Sequence, residues 1–148
     1  MENTVNILTE KTFETAIVEH LTRNGWFQGE ARNFSRELAF DTNAILEFVK
    51  TSQPKEWEKM ISFYKDEAEA KFSQRLFKEM DLRGMLEVVR HGITDSGIKF
   101  KLAYFKPASK LNDETQKLYA INKLYITRQV KYSTKNENSI DLLLSLNG

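Results

Sequence analysis

A chain of 148 residues is one domain's worth, and 41% hydrophobic residues, with 10 Phe, 5 Tyr and 2 Trp, supply a packed core. Only six Gly and two Pro exclude collagen-like, linker-like and low-complexity chains, and the lack of cysteine excludes disulfides, thiolate zinc sites and cysteine nucleophiles. A net charge of +1, a mean hydropathy of −0.52 and no apolar run near ~18 residues exclude a membrane-spanning segment.

Thr9 is placed to cap a helix running to about Asn24, with Gly25 as its stop. Phe13, Ala16, Ile17, His20 and Leu21 share one helical face, which is expected to be buried, with His20 as a core histidine. With Phe13 at 0° and ~100° per residue, Leu21 lies at ~80°, Glu14 at ~100° and Val18 at ~140°. Glu14 therefore falls within the apolar arc. Asp41 caps a second helix, in which Ala44, Ile45, Phe48 and Val49 face inward, and Pro54 opens a third. Trp57, Ile61, Tyr64, Ala68, Phe72 and Leu76 continue at helical spacing to about Leu82, with a break allowed near Lys65. Arg83-Gly84 closes a helical half, residues 1–84.

The period then falls to two, and residues 85–148 are read as sheet-forming. Residues 85–91 are expected to be a strand, Asp95-Ser96-Gly97 a turn, and Ile98, Phe100, Leu102 and Tyr104 one face of a partner strand. Asn112 caps a short helix to about Asn122. Leu124, Ile126, Val130 and Tyr132 alternate along the next strand, with Arg128 intruding on the apolar side. Ile140, Leu142, Leu144 and Leu146 share a face of the last. The connection from Ser133 to Asn138 is too short for a crossover, so these two strands are expected to be adjacent and antiparallel, with the first helix on one face. Asn147-Gly148 is a hairpin turn signal, and a chain closing on it is expected to be a piece of a longer protein. The fold class expected is α/β, one domain over 1–148, with the helices packed on a mixed, mainly antiparallel sheet.

No phosphate loop or G-x-G-x-x-G motif is present, and no N-terminal segment reads as a signal peptide, so a cytoplasmic address is expected. Charge is unevenly spread: residues 1–74 carry 9 basic and 13 acidic side chains, whereas Lys99 to Lys135 holds nine basic residues against Asp113 and Glu114. Such a stretch either neutralises phosphates or is a solvated sheet face whose lysines blunt an edge. Two carboxylates stand out. Asp141 sits inside a strand, where aspartate is disfavoured; it is an edge residue paired with a lysine, or it binds a cation. Glu14 either reaches water from the arc's edge or is the second carboxylate that could carry chemistry.

Four segments carry a resemblance: Asp81-Leu-Arg-Gly-Met-Leu-Glu-Val-Val-Arg-His-Gly92, Tyr104-Phe-Lys-Pro107, Leu118-Tyr-Ala-Ile-Asn-Lys-Leu-Tyr-Ile-Thr-Arg-Gln129 and Ser139-Ile-Asp-Leu-Leu-Leu-Ser-Leu-Asn-Gly148. In this order they resemble the N-terminal nuclease domain of the motor (restriction) R subunit of type I restriction endonucleases. Phe13-Glu14 with Gly25-Trp26, and Gln53-Pro54 with Trp57, fit that family's opening helices, so the likeness covers nearly the whole chain.

The resemblance implies a restriction-endonuclease-like, PD-(D/E)xK core and Mg²⁺-dependent hydrolysis of DNA phosphodiesters. Asp141 matches the family's metal-binding aspartate, with Ile140 in place of the proline. Glu14 falls where related nucleases place a helix carboxylate on the metal. The acidic residue and lysine of the next strand would follow Gly148, so the core is truncated before its last motif strand, and this chain alone is expected to be inactive. ATP enters only through motor domains absent from the chain. Double-stranded DNA, with Lys99, Lys101, Arg128 and Lys131 against its backbone, and the modification and specificity subunits are the implied partners; no membrane is. The alternative is a non-catalytic DNA-binding or subunit-docking module of the same fold.

Overall fold

The computed structural model describes the backbone from Glu2 to Gly148 and the side chains from Thr9 onward. In chain order the elements are α1 (Glu2–Arg23), β1 (Phe27–Gln28), β2 (Phe34–Ser35), β3 (Phe40–Asp41), α2 (Thr42–Ser52), α3 (Pro54–Tyr64), α4 (Ala68–Arg83) and α5 (Met85–His91). They continue with β4 (Ile93–Asp95), β5 (Ile98–Phe100), α6 (Asp113–Ile121), β6 (Leu124–Lys131) and β7 (Ser139–Leu146). The strands form three small sheets, β1–β6–β7, β2–β3 and β4–β5. Among the described residues only β1 with β6 is a parallel pair. This is a mixed α/β fold with mainly antiparallel sheets.

Local chemistry accounts for the central helices. The Asp41 carboxylate accepts from the Ala44 N–H at 3.0 Å, satisfying an orphan donor of α2, and Ala44, Ile45, Phe48 and Val49 are buried as their spacing requires. Pro54 opens α3, and the expected break near Lys65 is a 3₁₀ turn, Lys65–Glu67, with Lys65 at φ +56°. The largest core cluster joins α2, α3, α4 and α5 to the β4–β5 hairpin. Phe72 is its centre, edge-on to Trp57 at 5.8 Å and to Phe100 at 5.2 Å between ring centroids.

Three elements differ from the expectation: residues 85–91, α1, and β5, which stops at Phe100 instead of running on to Tyr104. Residues 85–91 form the helix α5, not a strand; in it only Val88 is buried, and Glu87 and His91 pair one turn apart. Seven residues held between Gly84 and Gly92 settle as two helical turns because one apolar contact suffices to dock them. The partner of β5 is therefore β4, across the Ser96-Gly97 turn, whose φ values of +49° and +79° suit a two-residue hairpin. Gly92 ends α5 at φ +70°, and a β-carbon there would lie 2.1 Å from the Phe100 carbonyl oxygen. Gly92→Ala is expected to destabilise the chain by about 2–4 kcal/mol, read as a lowered denaturation midpoint.

α1 is also rotated from its expected setting. It begins at Glu2, so Thr9 lies inside it, and Phe13 is 68% exposed, with His20 exposed as well. The buried positions are Glu14 and Val18, a quarter-turn or more round the wheel from Phe13. His20 is not a core histidine.

Candidate metal and phosphate site

β6 and β7 are adjacent and antiparallel, with Leu124 opposite Leu146 and Val130 opposite Ile140. Ile126 and Val130 are fully buried on β6. Arg128 lies between them on the same side of the strand, where a lone guanidinium would be costly. Its Nη2 donates to the Glu14 carboxylate at 3.1 Å, and its Nη1 to the Thr15 hydroxyl at 3.3 Å. The two residues that break the apolar pattern, one on α1 and one on β6, thus satisfy each other. That pairing accounts for the rotation of α1: an arginine under the helix selects the carboxylate face over the Phe13 ring.

Regular alternation would put Asp141 on the side of β7 opposite Leu142, away from Arg128. The ladder pairs Arg128 with Leu142 and Val130 with Ile140, yet lacks the pair between them, and Gln129 takes φ +51° at that point. A non-glycine residue in this region costs ~1–2 kcal/mol. The Gln129 amide donates to Asp141 Oδ1 at 3.3 Å. At this interruption the carboxylates of Asp141, Glu14 and Glu10 converge, one oxygen from each lying within 4.8 Å of the other two. Asp141 and Glu10 are exposed, while Glu14 is buried.

Glu10 was not singled out from the sequence, although it stands four residues before Glu14, the spacing that shares a helix face. Three convergent carboxylate oxygens are hard donors of the type Mg²⁺ takes. In an octahedral shell with ligands at ~2.1 Å, neighbouring oxygens stand ~3 Å apart and opposite ones ~4 Å. Small side-chain adjustments would bring these three to that spacing, so the residues present fit the cation.

The four expected DNA contacts do not form one row. Lys99 and Lys101 belong to the β4–β5 hairpin region; Lys99 is exposed between buried Ile98 and Phe100, and the Lys101 ammonium lies 5.6 Å from the Tyr104 ring centroid. Arg128 is committed to Glu14. Lys131, on β6, pairs with Glu137 from the 133–138 loop.

Glu137 is the hub of a second charged group that sequence pattern did not mark. Arg36 reaches it with both arms, Nη1 to Oε1 at 3.0 Å and Nη2 to Oε2 at 3.1 Å. These hydrogen bonds, then that from Lys131, lower the Glu137 carboxyl to about 2. Arg32, Arg36, Gln129 and Lys131 line a surface cleft of about 330 Å³.

No helix among the described residues is long and apolar enough to cross a membrane. No family model, curated protein or solved structure matches the chain.

Proposed function

We propose that this chain is part of the Mg²⁺-dependent endonuclease domain of an ATP-dependent type I restriction R subunit. The observation that carries the reading is the convergence of Asp141 with Glu14, two carboxylates far apart in sequence that the family likeness pairs on one cation. Like charges so close repel, and a shared cation is a physical reason to hold them together. Asp141, Glu14 and Glu10 would hold the metal, which lends Lewis-acid charge to a phosphodiester and acidifies water.

The chain's own residues supply the rest. Arg128 fixes Glu14 in place, and Gln129 orients Asp141 from the facing strand. Asp141 is exposed, so its carboxylate meets a polymer substrate at the surface. In hydrolysis a water oxygen bonds to phosphorus, one ester P–O bond breaks, and the leaving oxygen takes a proton.

The acidic residue and lysine that the family places on the next strand are not among these 148 residues. The chain alone is therefore expected not to nick supercoiled plasmid with Mg²⁺ and ATP. The reading further requires an acidic-x-lysine pattern within about 10–15 codons after Gly148, the reach of a turn and a strand. Chelator-sensitive nicking by the pure chain, or a continuing frame without that pattern, overturns it. A second reading, a non-catalytic DNA-binding or docking module of the same fold, is favoured by one observation: Arg128 already neutralises Glu14 without a metal.

A further inference from the structure

We propose that the cleft between the 31–36 segment and β6 binds a backbone phosphate of duplex DNA, and that Glu137 holds Arg36 and Lys131, two of the residues lining it, as an internal stand-in until DNA displaces it. The inference rests on the nuclease-domain reading for its ligand, and on the geometry of the cleft for its place.

Arg36 holds Glu137 in a two-pronged arrangement, and that fork fits two phosphate oxygens equally well. Lys131 adds a point charge to the same carboxylate. Arg36 Nη1 also reaches the backbone carbonyls of Ser133 and Asn136 at 3.4 and 3.5 Å, while Arg36 itself lines the cleft. Glu137 comes from an exposed connection between β6 and β7, whereas Arg36 is partly buried. Displacing the carboxylate would free the Arg36 fork for a phosphate. Arg32 stands at the same cleft beside Glu30.

Gln129 ties the cleft to the carboxylate group. It lines the cleft and donates to Asp141 from the one left-handed position in β6. A phosphate held by Arg36 and Lys131 would therefore lie beside the residue that touches Asp141. A polymer can present one phosphate to the cleft and another to the carboxylates, which a free anion cannot. The open, arginine-lined form also suits a chain passing over the surface rather than an enclosed small molecule.

The test uses the 148-residue chain and a fluorescein-labelled 20-base-pair duplex, with anisotropy read across a salt series in Ca²⁺. Glu137→Gln is expected to tighten binding about 3–10-fold at low salt, and to steepen the log-affinity against log-salt slope by about one, the counterions of one more phosphate contact. Glu58→Gln makes the same change in net charge on an exposed face of α3 and is expected to alter affinity less than 2-fold, as a general charge effect would. Arg36→Ala is expected to weaken binding and, in combination, to remove the gain from Glu137→Gln. Circular dichroism of each variant confirms the fold, and Arg36→Lys, which keeps charge but not the fork, is expected to retain only part of the affinity. Equal affinities for Glu137→Gln and wild type, a matching gain in Glu58→Gln, or a Glu137→Gln gain that survives Arg36→Ala overturns the proposal. The nuclease-domain reading fails on a separate result, the absence of cation binding at Asp141.

Discussion

Asp141→Ala, made in the complete restriction subunit of the proposed function, is expected to lower DNA cleavage by at least about 10²–10³-fold, some 3–4 kcal/mol of transition-state stabilisation. On that reading ATP hydrolysis and translocation are expected to remain at wild-type rates, because the resemblance assigns the motor to other domains. The expectation follows from position: Asp141 is, with Glu10, one of the two exposed members of the carboxylate group, and it accepts from the Gln129 amide. Glu14→Gln is expected to reduce cleavage less, since water replaces one ligand of an octahedral ion. Glutamine is preferred to alanine there because it retains an acceptor for Arg128, which otherwise loses its buried partner. Cleavage assayed on relaxed and supercoiled plasmid, beside phosphate release from ATP, separates the two activities. Wild-type cutting by Asp141→Ala removes it from the site.

The largest effect on stability is expected at Asn147. Its side chain is almost wholly enclosed, with 1% of its surface exposed. Oδ1 accepts from the Lys123 N–H at 2.8 Å, and Nδ2 donates to the Leu102 carbonyl at 2.9 Å and to Asn122 Oδ1 at 3.1 Å. The residue also holds φ +58°, which asparagine tolerates better than alanine. Just beyond it, the Gly148 carbonyl accepts from the Asp41 N–H at 3.1 Å, at the start of α2. Asn147 thus pins the end of β7 to the core residue Leu102 and to the α6–β6 connection, and Gly148 joins it to the start of α2. Asn147→Ala strands a backbone donor and an acceptor in the interior, at ~1–3 kcal/mol each, and is expected to cost about 3–5 kcal/mol. With a urea slope of ~2 kcal/mol/M, the unfolding midpoint falls by roughly 2 M. A loss under about 1 kcal/mol contradicts the role given to Asn147. Ser139→Ala, at the exposed start of β7, is the matching control with little expected change.

Much of the architecture was legible where local chemistry and periodicity agreed. Asp41 before Ala44, Ile45, Phe48 and Val49 marks α2 twice, by cap and by stripe, and the structure has both. Asn112 likewise caps α6, accepting from Glu114 and Thr115. The short Ser133–Asn138 connection left β6 and β7 no arrangement but a hairpin. α5 was misread because Val88-Val89 favours strand by type, while Gly84 and Gly92 bound a segment whose single buried residue places no demand on period. The setting of α1 was illegible for a different reason. Its buried face is chosen by Arg128, more than a hundred residues away, and no helical wheel contains that partner.

The candidate site divides the same way. Asp141 and Glu14 were found as violations of pattern, a carboxylate in a strand and a carboxylate in an apolar arc. Glu10 obeys the pattern of an exposed helix face and escaped notice. Arg36 and Glu137 did too, since an exposed ion pair between a loop and a distant segment leaves no periodic trace. Asn147-Gly148 was read for its turn conformation, and the left-handed backbone is there, but the buried amide that ties the end of β7 to Leu102, Asn122 and Lys123 is a tertiary fact.

The central claim is that Asp141, Glu14 and Glu10 form a divalent-cation site. Titrating the ¹⁵N-labelled chain with Mn²⁺ tests it most directly, because paramagnetic broadening reports proximity to the ion residue by residue. The account predicts saturable broadening centred on the amides of Glu10, Glu14 and Asp141, relieved by excess Mg²⁺ and lost in Asp141→Ala while the rest of the spectrum is preserved. Broadening spread evenly over exposed carboxylates, or unchanged by Asp141→Ala, would contradict it.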